Sequence, residues 1–257
     1  MNLTSENYFS TTMQLRYMGV SQFKSFEDCE ASALAELRGE FEREKTVSLL
    51  VGSYVDAHFC KTLDIFKAQN PEIFKRDGGL KAEYVQADYI IERIERDEMM
   101  MKYILGDPQV VLSGEIDGIP VKVKIDAFHA GKAIVDLKIV KDFAPIYKPE
   151  QGRLTFVEAW RYDLQGAIYQ EVVRQNTGKL LPFYIVGATK EKEPDIAIIQ
   201  IPQANLDACL SIFKANAQRY ADLKKGIGEP IRCEKCDYCK RTKVITQVIT
   251  MEDLDSE

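Results

Sequence analysis

Two short runs hold most of the chemistry this sequence can do. Val121-Lys122-Val123-Lys124-Ile125-Asp126 and Ile134-Val135-Asp136-Leu137-Lys138 alternate apolar and charged residues. Such alternation reads as β-strand, in which successive side chains go to opposite faces. Lys122, Lys124 and Asp126 then share one face, and Asp136 and Lys138 share a face of the next strand. A short turn at Ala130-Gly131 joins the strands and can bring Asp126 and Asp136 close together. Close carboxylates repel, so one pKa rises unless a cation stands between them. A hard, oxygen-seeking ion such as Mg²⁺, or Mn²⁺ in its place, resolves the repulsion with one or two carboxylates, waters and a phosphate. Lys138 would then face a metal-bound water or that phosphate. An exposed sheet face of alternating Lys and Asp is the plainer account of the same spacing.

A second constellation lies near the end of the chain. Cys233-x-x-Cys236-x-x-Cys239 sets three thiols at ligand spacing. A tetrahedral structural site takes four ligands, and Cys29 is the candidate fourth. Four thiolates suit either Zn²⁺ or an iron–sulfur cluster. Free thiols beside an ordinary buried Cys29 are the plainer account. Cys60 and Cys209 fall in helical stretches and are expected to be structural.

These residues need a scaffold. Phe26, Cys29, Ala33 and Leu37 recur at spacings of three and four, which predicts a helix from Ser21 as its N-cap. Further helices are predicted over 46–68 and 81–105, the latter ending before Gly106-Asp107-Pro108. The period then changes to two. Strands over 110–116 and 119–128 meet at Asp117-Gly118, a hairpin signal, and a third over 133–140 completes an antiparallel meander. Residues 141–153, with two prolines and little period, read as a loop. A helix over 156–175, strands over 181–189 and 195–201, and a helix over 203–225 follow. Residues 1–20 read as an N-terminal arm. No repeat and no linker divides the chain, so the order predicts one mixed α/β domain.

Composition narrows the class. The chain has 257 residues, of which 46% are hydrophobic and 29% charged, as in an ordinary globular protein. No apolar run approaches the roughly 20 residues that cross a bilayer, so no membrane association is expected. The opening MNLTSENYFSTT has neither a basic nor an apolar region of a secretory signal, and a cytoplasmic location is expected. Six cysteines in that setting argue for thiols or metal ligands rather than disulfides. The net charge of −6 disfavours a basic coat protein for nucleic acid, but leaves room for a nuclease whose groove alone is basic.

Asp126 followed by Asp136-x-Lys138 on successive strands resembles the PD-(D/E)XK nuclease signature. Four further segments extend the likeness. Gly52-Ser53-Tyr54-Val55-Asp56-Ala57-His58 resembles the helix of RecB-type nucleases that supplies a histidine ligand. Gly114-Glu115-Ile116-Asp117-Gly118 resembles the hairpin before the first catalytic aspartate, and Gln165-Gly166-Ala167-Ile168-Tyr169 the Gln-x-x-x-Tyr helix. The run from Ser21 to Cys29 resembles the opening helix. Order and spacing agree from about residue 20 to 240, and the nearest subgroup is the phage-type RecE-like exonucleases, of exodeoxyribonuclease VIII type. One departure is Ile125, where the signature often has proline.

The resemblance implies a restriction-endonuclease-like α/β fold: a mixed sheet core flanked by helices, with a C-terminal cysteine-containing segment. The nuclease domain would span 21–242, with its Cys segment at 229–242 and an acidic tail, open to disorder, at 243–257. Asp126 and Asp136 would ligate the metal, joined by the carbonyl of Leu137 and by His58. Judged by its apolar surroundings alone, His58 is a satisfied core histidine; the likeness makes it a ligand. Glu115 would bind a second metal or cap the hairpin. Lys138 would orient or deprotonate the attacking water and stabilise the transition state, while Gln165 and Tyr169 would position the scissile strand or the lysine. Lys122, Lys124, Lys141, Lys148 and Arg153 would contact DNA phosphates, or else form a solvated face. His129 is expected at the surface and Trp160 in the core rather than stacked on a base.

RecB-like nucleases of CRISPR adaptation and of helicase–nuclease complexes pair one Cys of the opening helix with three near the C-terminus. In them these thiols hold a [4Fe–4S] cluster; the same set here implies that cluster, or Zn²⁺ in its place. The implied activity is a Mg²⁺-dependent deoxyribonuclease, an exonuclease of phage-associated recombination or repair. A homo-oligomeric ring and a recombinase or annealing protein would be its partners. The alternatives are a CRISPR-adaptation-type or helicase-associated nuclease, and a non-catalytic nucleic-acid-binding subunit on the same fold.

Overall fold

The computed structural model describes residues 2–248 and 250–251. Helix α1 (Thr11–Arg16) is capped by Ser10, whose hydroxyl accepts from the Met13 N–H, and leads into a two-residue strand, β1 (Met18–Gly19). Helices α2 (Val20–Asp28), α3 (Glu30–Arg38), α4 (Val47–Phe59), α5 (Leu63–Gln69), α6 (Ala82–Glu95) and α7 (Glu98–Ile104) follow. Strands β2 (Asp107–Ile116), β3 (Ile119–His129) and β4 (Ala133–Val140) form the antiparallel meander. A small hairpin of β5 (Ile146–Lys148) and β6 (Gly152–Leu154) passes through α8 (Phe156–Ala159) into α9 (Tyr162–Thr177). Then come β7 (Phe183–Thr189), β8 (Ile196–Gln200), the long α10 (Gln203–Lys224) and the short α11 (Asp237–Arg241).

Six strands form one mixed sheet in the order β1-β3-β4-β7-β8, with β2 on the other edge of β3. The β1–β3 and β4–β7 pairs are parallel and the rest antiparallel. Helices cover both faces. Val121, Val123 and Ile125 pack with Phe23, Leu164 and Phe213 on one side, while Val135 and Val186 pack with Val55 and Ile90 on the other. Both faces are thus buried, which leaves polar side chains room only where the sheet opens.

It opens at β3. One edge of this strand is divided between two neighbours: β1 pairs with Val121 and Lys122, and β4 with Ala127, Phe128 and His129. Residues 123–126 bond to neither; 123–125 are paired on the β2 side alone, and the β2–β3 register skips Asp126 and Gln109.

Several expected elements differ in their ends. The helix from 21 begins a residue earlier, with Gly19 as N-cap rather than Ser21, and breaks at Cys29, whose backbone is extended (φ −167°, ψ 109°). The helix over 46–68 divides at Lys61, with φ 58°, and that over 81–105 at Asp97, whose carboxylate caps α7. The helix over 156–175 divides at Arg161, with φ 55°. Residues 141–153 are not plain loop, since Gly152 at φ 75° helps turn them into the β5–β6 hairpin. Residues 1–20 carry α1 and β1, and Tyr8, Met13 and Met18 are buried. Trp160 corrects the core expectation: it is 58% exposed, because it ends α8 where the chain turns outward at Arg161. His129 ends β3, half-buried, with Nε2 2.7 Å from the Tyr103 carbonyl. The acidic end at 252–257 lies outside the described residues.

Candidate active site

The β3–β4 pairing ends at Ala127↔Val135, and Asp126 and Asp136 are the next residues on either side of the opening. Asp126 Oδ2 reaches across it and accepts the Leu137 N–H at 3.0 Å. Asp136 is buried; its Oδ1 accepts from Gln165 Nε2 at 2.5 Å. Its Oδ2 lies 2.5 Å from Lys138 Nζ in an ion pair, yet accepts no aligned hydrogen bond. From α4, Asp56 enters the same opening. Gln109 Nε2 stands 3.4 Å from Oδ1 of both Asp56 and Asp126. Gln109 itself has φ 54°, a left-handed backbone that a non-glycine residue rarely adopts, and such strain clusters at functional sites.

Helix α9 braces the two strands. Gln165 holds Asp136 on β4, and one turn later the Tyr169 hydroxyl donates to the Lys124 carbonyl on β3 at 2.9 Å. Gly166 between them lets the helix sit close, because a Cβ there would lie 2.5 Å from the Phe183 ring. The result is a cleft of about 710 Å³ whose lining includes Asp56, Asp126, Asp136 and Lys138 together with Tyr8, Phe9, Lys24 and Lys124.

The charges are coupled. Burial pushes the Asp126 carboxyl well above its usual range, and the neighbouring Asp136 and Asp56 carboxylates add to the rise. Burial likewise raises Asp56. For Lys138, burial alone would lower the pKa, but Asp136 and Asp126 outweigh it and hold the ammonium above its ordinary value. Lys24 falls to about 8, through burial and then through Lys138. A buried carboxylate oxygen without an aligned donor, beside two carboxyls that resist ionisation, is what a divalent cation would relieve. Mg²⁺ needs only one or two carboxylates with waters and a phosphate, so Asp126 and Asp136 fit it.

Other expected residues stand elsewhere. His58 is not at the cleft. It lies two residues past Asp56, about 200° around α4, and its Nε2 meets Glu95 Oε1 at 2.7 Å near the surface. Glu115 is exposed at the β2–β3 hairpin, where Gln175 bonds its backbone N–H and carbonyl. Five residues along β2 separate it from Val110, the partner of Ile125, so it stands roughly 17 Å from the carboxylates. It is therefore not a ligand there. Lys122 is buried and donates to the Tyr8 carbonyl, so it is not a surface contact. Lys148 donates to the Ala159 carbonyl at 2.8 Å, and Lys141, fully exposed, pairs with Asp142 at 3.4 Å. Arg153 is exposed on β6. Of the five basic residues, Lys122 and Lys124 line the cleft. The residues the sequence reading missed are Asp56, Gln109 and Lys24. Asp56 sat inside the quoted helix motif, and only the helical phase separates it from His58.

The thiols gather at the other end of α2. The break at Cys29 aims its Sγ at the C-terminal segment, 3.6 Å from Cys239 Sγ, and Cys233 Sγ lies 4.0 Å from Cys239 Sγ. All four sulfurs, including that of Cys236, lie within 4.8 Å of one another. Among the described residues no group of three or more carboxylates or histidines gathers as tightly. The Cys236 N–H donates to Cys233 Sγ at 3.3 Å. Although burial works against it, bonds from the backbone of Lys235 and Cys236 bring the Cys233 thiol down to about 6. Cys60 closes α4, 3.7 Å from Asp56 Oδ1, and Cys209 is buried on α10.

A mixed sheet with two carboxylates and a lysine at the split between successive strands defines a PD-(D/E)XK-like nuclease fold. The chain belongs to the family described as a PDDEXK-like domain of unknown function (DUF3799), whose model matches residues 19–242. A solved structure from Eubacterium rectale, described as a "putative exonuclease", is 47% identical, with a TM-score of 0.96 over 99% of this chain and 98% of that one. The solved structure of SSO0001 overlaps with a TM-score of 0.29 at 14% identity over 78% of this chain and 87% of that one, and carries no argument. Among curated proteins none matches the chain. Among the described residues, no helix is long and apolar enough to cross a membrane.

Proposed function

We propose that this protein is a metal-dependent deoxyribonuclease that removes nucleotides from DNA ends. The observation that supports it is the set of Asp126, Asp136 and Lys138 braced by Gln165 where β3 and β4 part. Asp126 and Asp136 would hold a Mg²⁺, with Asp56 in place of His58 as the third carboxylate. The Leu137 N–H points at Asp126, and in a strand the carbonyl of the same residue faces the same side, so it is available as a further ligand. The bound ion would polarise the scissile phosphate and acidify the attacking water. Lys138, held charged by two carboxylates, serves as an ammonium that donates to a phosphate oxygen and stabilises charge there, rather than as the base. Gln165 fixes Asp136 Oδ1 and leaves Oδ2 toward Lys138. Lys124 and Lys24, which both line the cleft, would neutralise the DNA backbone, Lys24 by turning its ammonium from the Trp160 carbonyl it now donates to at 3.0 Å.

The exonuclease mode is supported by the relative from E. rectale. A role in phage-associated recombination, a ring of several copies and an annealing-protein partner belong to the same reading. The test is degradation of linear DNA with Mg²⁺ or Mn²⁺, wild type against Asp136→Ala. Wild type should release mononucleotides or short fragments from ends. The variant should lose about a thousandfold or more, the effect of several kcal/mol of transition-state stabilisation. An inactive wild type on single- and double-stranded DNA with either ion would contradict the proposal and favour a non-catalytic DNA-binding subunit.

The thiol set fits a bound metal, and its spacing supports a single ion. A tetrahedral Zn²⁺ with Zn–S near 2.3 Å sets its sulfurs about 3.8 Å apart. The contacts here are 3.6 and 4.0 Å. In a [4Fe–4S] cluster each thiolate takes a different iron, which spreads the sulfurs further. Zn²⁺ is thus the reading the geometry favours.

A further inference from the structure

The carboxylate cleft has an aromatic residue at its mouth that the fold does not need. Phe9 is 69% exposed, yet it lines the cleft. It immediately precedes Ser10, the N-cap of α1. An apolar residue at that position ordinarily packs on the fourth residue of the helix as a hydrophobic staple. Here that residue is Gln14, which also lines the cleft, so the staple's apolar partner is missing. Its place is nonetheless built. Tyr8 is buried and meets the Phe9 ring edge-on, with centroids 4.9 Å apart and an interplanar angle of 80°. Tyr8 is anchored in turn by the buried Lys122, which donates to its carbonyl and lies 4.5 Å from its ring centroid. Lys124 Nζ stands 5.4 Å from the Phe9 ring centroid. Lys124 precedes Asp126 by two residues on β3, roughly 7 Å along the strand.

An exposed ring set edge-on against a buried tyrosine and beside a lysine, one short step from the carboxylates, matches a nucleotide: base on the ring, phosphate on the ammonium, next phosphate at the carboxylates. Stacking on an aromatic is tolerant of sequence because every base has a π-face. We propose that Phe9 is the stacking platform for the nucleobase next to the scissile phosphodiester, with Lys124 on the adjoining phosphate. This rests on the nuclease reading above and adds to it a positioning residue carried by the N-terminal segment.

The test uses the full chain and single-stranded oligonucleotides that carry 2-aminopurine or an abasic site at the terminal nucleotide. With Ca²⁺ in place of Mg²⁺, wild type and Phe9→Trp should quench 2-aminopurine on binding, and Phe9→Ala should not. With Mg²⁺, Phe9→Ala should raise KM roughly tenfold, the range of one lost base–aromatic stack, with a smaller change in kcat. Phe9→Trp should restore KM. The abasic substrate should penalise wild type and leave Phe9→Ala unaffected. An unchanged thermal midpoint shows that the variants fold. Equal KM and equal quenching in wild type and Phe9→Ala would overturn the platform while leaving the nuclease intact. If no protein degrades DNA, yet wild type and Phe9→Trp quench and Phe9→Ala does not, the nuclease reading fails and the placement beside a scissile bond falls with it, leaving Phe9 only as a base-stacking residue of a DNA-binding cleft. If wild type does not quench, the platform is refuted.

Discussion

Residue by residue, the cleft is a problem of charge. Asp56 and Asp126 are half-buried carboxyls whose ionisation is resisted, and Lys138 is the cation that offsets them. Two outcomes follow from where the side chains stand. Asp56→Ala should lose most activity, whereas His58→Ala, which removes only a contact to Glu95, should keep it. A histidine variant as impaired as the aspartate variant would contradict this placement. The second concerns pH. Because burial and the neighbouring carboxylates raise the Asp126 pKa, the metal-free protein holds that proton to higher pH than an ordinary carboxyl does, and a metal must displace it. Mn²⁺ affinity should therefore fall as pH falls, with proton release on binding. Calorimetry in two buffers of different ionisation enthalpy measures that release, and the absence of any would speak against the coupled carboxyls.

At the scale of elements, one helix sets the geometry of two strands. Gln165 grips β4 and Tyr169 grips β3, and Gly166 lets α9 lie against Phe183. Gly166→Ala would force a Cβ to within 2.5 Å of that buried ring. It should cost about 1–3 kcal/mol of stability, as overpacking does, and reduce kcat through a displaced Gln165. Denaturant unfolding and kinetics together check it, and a variant neutral in both would show that α9 does not set the site. The strands and the carboxylate–lysine face were legible in the sequence, because period-two alternation on β3 and β4 is strong and local. The helix breaks were not. Cys29, Lys61 and Arg161 interrupt helical patterns without Gly or Pro, so no local residue type marks the breaks. The choice of Asp56 over His58 was equally hidden, since it depends on the rotation of α4 against the sheet. Lys122 reads as a surface cation until Tyr8, more than a hundred residues away in sequence, is folded over it.

At the scale of the whole molecule, the thiols join the chain's two ends. Cys29 lies between α2 and α3; of its companions Cys233 precedes α11, Cys236 is its N-cap residue and Cys239 lies within it. Glu30 adds a metal-free clasp, accepting from Arg219 at 2.6 Å and from the Ile231 N–H at 2.7 Å. Metal removal should thus loosen the segment at 229–242 without unfolding the sheet. Purified protein should carry about one zinc per chain and no absorption near 400 nm. After chelation a protease should cut first in that segment, and the thermal midpoint should fall by several degrees, as expected when a ligand of the folded state is withdrawn. Iron with absorption near 400 nm would replace the single ion with a cluster. An identical cleavage pattern with and without chelator would remove the thiols' structural role.

The claim on which the rest depends is that one divalent cation binds where β3 and β4 separate. The most direct measurement is anomalous scattering from a crystal soaked in Mn²⁺. The expected result is a peak bonded to carboxylate oxygens of Asp126 and Asp136, with Lys138 swung off Asp136 Oδ2 and His58 still on Glu95. A peak at His58, or no peak near either aspartate at saturating Mn²⁺, would contradict it.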